Sequence, residues 1–114
     1  MHATVIFSDI PDWHYSVACN KKHTWTVEKE DMIAMYDRSP ISRIGNIKTP
    51  SLFIIGGDDR RCPPEQGMCF WKGLKANGVK TDMHYYPNNG HAVSGIEENF
   101  NAEMNMVRWW VENL

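Results

Sequence analysis

Residues Ser51-Leu52-Phe53-Ile54-Ile55 make a nearly continuous apolar run, introduced by Thr49-Pro50 and ended by Gly56-Gly57. A run this short between breakers reads as a strand buried on both faces, the environment of a parallel sheet. Pro63 and Pro64 then open a helix over about 64–77, with Pro64 in a first-turn position where its missing N–H costs nothing. Met68, Trp71 and Leu74 share one face of that helix, and Gly78 after Asn77 stops it. A second strand, about Lys80 to Tyr86, alternates in part and is halted by Pro87-Asn88-Asn89-Gly90. From about residue 98 to the end, Phe100, Met104, Val107, Val111 and Leu114 recur at steps of three and four, the stripe of a helix. Trp109 and Trp110 widen that stripe. Strand, helix, strand, helix with short connections is a βαβ unit with a closing helix, so the fold class is α/β.

The first half is less strongly patterned. Thr4-Val5-Ile6-Phe7 is an apolar stretch of strand or loop-end type, and residues 11–27 read as an irregular polar loop. Residues 28–37 predict a short helix with acids in its first turn, and Pro40 and Gly45 interrupt the chain beyond it.

Length and charge limit the rest. A chain of 114 residues is one small domain or part of a larger one. With 12 Lys+Arg against 14 Asp+Glu there is no electrostatic case for nucleic acid or an anionic membrane as main partner. No apolar run approaches the ~20 residues of a membrane span, and the N-terminus lacks the pattern of a signal peptide. Three cysteines and no Asn-x-Ser/Thr sequon point to a reducing, cytoplasmic setting. His14, Cys19 and His23 lie close together, but their spacing matches no zinc module. Cys62 and Cys69 flank the start of a helix and are expected to pack. Five Trp and seven Met are more bulky side chains than a self-contained surface module carries.

The βαβ reading places the chemistry. Both strands run the same way, so the loops after residues 56 and 86 emerge together at the carboxyl end of the sheet, where open α/β sheets carry their functional groups. One loop holds Asp58-Asp59-Arg60-Arg61 and the other Gly90-His91. An Asp that holds a His is two-thirds of a nucleophilic triad: the carboxylate fixes the imidazole, and the imidazole takes the nucleophile's proton. The order Asp then His matches the α/β-hydrolase order Ser, Asp, His. Ser8, Ser16, Ser39, Ser42, Ser51 and Ser94 all lack a Gly-x-Ser-x-Gly setting. Ser94-Gly95-Ile96-Glu97 has capping-box spacing, which makes helix entry the role expected of Ser94.

Asp9-Ile-Pro-Asp-Trp13, Lys48-Thr-Pro50, Gly56-Gly-Asp-Asp-Arg-Arg-Cys-Pro63, Gln66-Gly-Met68 and Tyr86-Pro87 leading to Gly90-His-Ala92 resemble the C-terminal end of the acylaminoacyl peptidases. These serine peptidases belong to the prolyl oligopeptidase family. The resemblance runs from about residue 8 to the last helix. It implies the C-terminal portion of an α/β-hydrolase catalytic domain over residues 1–114, with a parallel sheet flanked by helices and no second domain. It assigns Asp59 as the triad Asp and His91 as the general base, and gives Asp58 no catalytic part. The implied reaction releases an N-acylated, typically N-acetylated, amino acid from a peptide through an acyl-enzyme on serine, with no metal or organic cofactor. The family's serine elbow, oxyanion-hole segments and β-propeller lie upstream of everything in this sequence. The expected partners are therefore an N-acylated peptide and those upstream segments, and the parent enzyme is a candidate homo-oligomer. The chain alone is expected to be inactive. Alternatives are a non-catalytic remnant that only folds or binds partners, or a piece of another α/β-hydrolase such as a dipeptidyl peptidase or esterase. If Leu52–Ile55 is central in the parent sheet, its edge is open to aggregation without the preceding strands.

Overall fold

The computed structural model describes residues 14–114, so the apolar stretch at 4–7 and the motif at 9–13 lie outside the described residues. The described residues begin with a π-helical turn, His14–Ala18, inside the stretch expected to be irregular. The Lys21 N–H closes back on the Tyr15 carbonyl at 2.7 Å. Tyr15 and Cys19, four residues apart, are buried with Met35, and that small cluster is what orders the turn. Met35 belongs to α1, Lys29–Arg38, whose first turn carries Glu30 and Asp31 as expected. A 3-10 helix, Pro40–Asn46, then leads into the sheet.

The strongly patterned half forms as its sequence predicts. Strand β1 spans Ser51–Gly56, helix α2 Pro64–Ala76, strand β2 Thr81–Tyr86 and helix α3 Ile96–Asn113. The strands pair in parallel, from Ser51 against Thr81 to Gly56 against Tyr86. Pro64 stands in the first turn of α2. Gly78, at φ +74, ends that helix in the left-handed region. The Val79 N–H returns to Leu74 and the Gly78 N–H to Lys75, so the last carbonyls are satisfied while Leu74 and Val79 bury together.

Strand alternation divides the sheet between the two helices. Phe53 and Ile55 face α2, with the Phe53 and Phe70 rings 6.2 Å apart and Ile55 against Gly67. Leu52 and Ile54 face α3 and share a groove with Met106. On β2, Tyr86 donates its hydroxyl to Asn101 at 2.8 Å, and His84 meets Asn105. Among the described residues Leu74 is the most completely buried side chain.

One expectation fails here, that β1 is buried on both faces. Only Ile55 and Gly56 are buried, and Ser51 to Ile54 are half-buried. Among the described residues the sheet has two strands, so the far edge of β1 carries no neighbour. On α3 the most apolar stripe does not cover the sheet. Phe100, Met104, Val107, Val111 and Leu114 are each at least half exposed. The helix instead turns Ala102, Met106 and Trp109 inward, and Ala102 is buried. A small side chain there lets the helix approach the sheet, while Asn101 and Asn105 reach the polar groups of β2.

Candidate active site

The site begins with two glycines. A Cβ on Gly56 falls 2.1 Å from the Gly90 carbonyl oxygen and 2.6 Å from that of Asn89. One on Gly57 falls 2.7 Å from the Pro87 carbonyl oxygen. Only glycine lets the end of β1 touch the loop after β2, because the opposing atoms are main chain and cannot swing away. Across that contact the Gly57 N–H donates to Tyr86 at 2.8 Å and the Asp58 N–H to Asn89 at 2.9 Å. Asn89 is itself buried, and its side-chain oxygen accepts the Gly95 N–H at 3.1 Å, tying the loop to the start of α3.

This frame brings the two expected site residues together. His91 Nδ1 lies 2.9 Å from Asp59 Oδ2. The other carboxylate oxygen accepts the N–H groups of Arg61 at 2.9 Å and Cys62 at 2.8 Å. The Asp59 side chain is 12 % exposed and that of His91 54 %, so a sheltered carboxylate holds an accessible imidazole. Burial on its own raises the Asp59 carboxyl. The Cys62 N–H, the His91 ring and the Arg61 N–H outweigh it and hold the carboxyl below its ordinary range. Asp59 is therefore ionised at neutral pH and accepts from Nδ1–H, which leaves Nε2 as the ring's free acceptor. Asp58 turns its side chain to solvent.

A cavity of about 550 Å³ opens beside the pair, with Ile54, Pro64, Gly67, Ala102 and Met106 in its walls. It shares Ile54 and Met106 with a second groove of about 490 Å³, which continues along β1 to Trp109 and Trp110.

Several serines have structural duties. Ser39 is buried and donates to the Met35 carbonyl at 2.8 Å, Ser42 donates to Ser39, and Ser51 to Thr49. The cap expected of Ser94 is not formed. Gly95 is the N-cap of α3 and has no side chain to cap with, while Asn89 holds the Gly95 N–H. Cys62 is exposed rather than packed, and its main chain is what matters to Asp59. His23 and Cys19 take up packing positions, His23 edge-on between the Tyr15 and Trp25 rings and Cys19 in the buried cluster. Asn89 and the close-approach role of Gly56 and Gly57 escape sequence reasoning, which sees only turn formers and a strand stop. No helix among the described residues is long and apolar enough to cross a membrane.

Parallel strands between helices, with an Asp–His pair closed across their carboxyl ends, define an α/β-hydrolase fold. The fold matches the acylaminoacyl peptidase of Pyrococcus horikoshii in its orthorhombic crystal form with a TM-score of 0.77 at 22% identity, covering 99% of this chain and 18% of that one. Residues 3–114 match the Prolyl oligopeptidase family, and the chain belongs to it. It is 38% identical over 110 residues to the acylamino-acid-releasing enzyme of Rattus norvegicus, covering 90% of this chain and 14% of that protein. It is 31% identical over 112 residues to that of Arabidopsis thaliana, covering 96% and 15% respectively. The chain thus spans about a seventh of the length of these relatives.

Proposed function

We propose that this chain is the C-terminal part of the catalytic domain of an acylaminoacyl-peptidase-like serine peptidase, with Asp59 and His91 as the acid and base of its triad. The 2.9 Å contact between His91 Nδ1 and the Asp59 carboxylate carries the reading. Asp59 fixes the Nδ1–H tautomer, Nε2 takes the proton of a serine hydroxyl, and Asp59 stabilises the imidazolium as it forms. Protonated Nε2 then delivers that proton to the leaving amine, and the acyl-enzyme is hydrolysed with the same imidazole as base. The nucleophile and the oxyanion donors come from an upstream segment, since no serine of this sequence has an elbow setting. That segment adds strands to the free edge of β1 and fills the groove that ends at Trp109 and Trp110. The substrate is a peptide with an N-acylated, typically N-acetylated, first residue, met in a cytoplasmic setting.

Without a nucleophile the chain alone is inactive. A fluorophosphonate probe for activated serines leaves it unlabelled, and covalent labelling on this chain overturns the assignment. When the chain is combined with an upstream catalytic segment carrying the serine, acetyl-alanyl amides are cleaved in preference to Xaa-Pro amides and simple esters. Asp59→Asn then lowers kcat roughly 10⁴-fold, the scale expected when the imidazole loses its orienting carboxylate.

A further inference from the structure

A polar ladder runs along the seam between β2 and α3. The buried Tyr86 donates its hydroxyl to Asn101 Oδ1 at 2.8 Å. Asn105, one turn further along α3, donates from Nδ2 to the same oxygen at 2.9 Å. Asn105 Nδ2 also lies 3.4 Å from His84 Nδ1. At the far end His84 Nε2 stands 3.6 Å from Asp82 Oδ2. Alternation along β2 puts Asp82, His84 and Tyr86 on one face of the strand, the face that meets α3. The Tyr86 carbonyl in turn accepts the N–H groups of Gly57 at 2.8 Å and Asn89 at 3.2 Å, the bonds that begin the loop carrying His91.

The ladder has a direction. Two donors converge on Asn101 Oδ1, so Asn105 presents its amide nitrogen to it. The group offered to His84 is then an N–H, and Nδ1 has to accept it. His84 in this arrangement is neutral, with its hydrogen on Nε2 towards Asp82, the opposite tautomer to His91. Protonation adds a hydrogen at Nδ1, and a donor then faces a donor in a half-buried seam. Turning the Asn105 amide over gives no relief, because its oxygen then meets that of Asn101. The mismatch passes along the ladder to Tyr86. Asp82 is the charge beside the ring. On the same strand face Lys80 leans over the Trp109 ring at 5.6 Å, and β1 offers only Leu52 and Ile54. On α3, Glu97 is exposed, Glu98 lies against Gly95, Glu103 accepts from Asn99, and Arg108 stands 3.9 Å from Glu112. We propose that His84 is a proton-operated latch. Neutral, it locks β2 to α3 through Asn105 and Asn101; protonated, it releases Tyr86 and loosens the loop that carries His91. The inference concerns how that loop is held and stands independently of the catalytic reading.

An NMR titration of the labelled chain from about pH 8 to 5, the range in which histidine changes charge, tests it. The expected result is that the His84 ring, the Asn105 and Asn101 side-chain amides and the Tyr86 ring shift together with one midpoint. His84→Gln keeps an acceptor for Asn105 and cannot ionise, so it abolishes the amide shifts while His91 still titrates. Asn105→Ala cuts the ladder in the middle: His84 titrates, and Asn101 and Tyr86 no longer respond. His91→Gln leaves the titration of the ladder in place, which separates it from the charge on the other imidazole. Hydrogen exchange reads the loop. At the acid end the Gly57 and Asn89 N–H groups exchange roughly tenfold faster in the native chain than in His84→Gln, the worth of one hydrogen bond, and equally fast at the alkaline end. Asn101 and Tyr86 signals that stay still across the range overturn the proposal. So do signals that keep moving in His84→Gln or Asn105→Ala, or loop exchange that is equal in the two chains at acid pH.

Discussion

The carboxyl end of the sheet and the flank of β1 are built to different degrees of completion. At the carboxyl end, main-chain bonds from Gly57 and Asp58 cross to the last residue of β2 and to the loop after it, the Asn89 side-chain oxygen holds Gly95, and both Asp59 carboxylate oxygens are engaged. Along the flank, Leu52 and Ile54 stay half-buried over a groove with Met106 and Trp109. The Asp–His pair thus rests on the βαβ unit and the start of α3, whereas the surface beside it is left half-covered among the described residues. Local connectivity suffices for the Asp59–His91 contact, whereas cover for the flank of β1 is a long-range matter.

The sharpest way to break this contrast is at Gly56. In Gly56→Val the new side chain meets main-chain oxygens of Asn89 and Gly90, and the loops must part. The expected loss is ~3 kcal/mol of stability in urea unfolding, with the Asp59-bound imidazole proton gone from the NMR spectrum. A variant that keeps that proton shows that the approach of the two loops is not what positions His91. Asn89→Ala strips the acceptor from the Gly95 N–H in a buried setting, and about 1–3 kcal/mol is expected to go. The same spectrum then shows a mobile His91 on an otherwise intact sheet.

Acid probes the finished end more gently. The Asp59 carboxyl is held below its ordinary value in the folded chain, so its contribution is fully present above the unfolded carboxylate value of ~3.9. Below that value the unfolded chain binds the proton first, and the contribution drains away as pH falls through the folded value. Unfolding free energy measured from neutral pH down to acid therefore falls in that window, and Asp59→Asn flattens the slope there. An unchanged slope removes Asp59 as the cause. The smallest effect belongs to the unfinished flank. Leu52→Lys puts a charge beside the free edge of β1 and, since Leu52 is half-buried against α3, is expected to cost about 1 kcal/mol of stability. It reduces the fraction of chain lost to the pellet on standing, and an equal pellet means the open edge is not the source of aggregation.

Much of this was legible in the residues. An apolar run stopped by Gly-Gly and a second strand stopped by Pro-Asn-Asn-Gly place Asp59 and His91 at adjacent strand ends, because parallel strands leave no other choice. What stayed hidden depends on distances between segments. Gly56 and Gly57 read as a strand stop, and only the approach of the Asn89 and Gly90 carbonyls shows why no Cβ fits. Asn89 reads as a turn former, although its side chain accepts the Gly95 N–H and ties its loop to the start of α3. On α3 periodicity finds the most apolar stripe and cannot tell which body covers it. A small Ala102 and two asparagines matched to β2 decide the inward face. The outer half of β1 reads as buried because its sequence suits a wider sheet than the described residues form.

The pairing of Ser51 with Thr81 through Gly56 with Tyr86 also makes His91 a gauge. A slip of one residue between the strands displaces one loop against the other by about 3.3 Å, enough to sever a hydrogen bond of 2.9 Å. The imidazole signal therefore reads alignment as present or absent, with no intermediate value. Followed during refolding, it times the moment the two strands lock into step, separately from the moment they first meet.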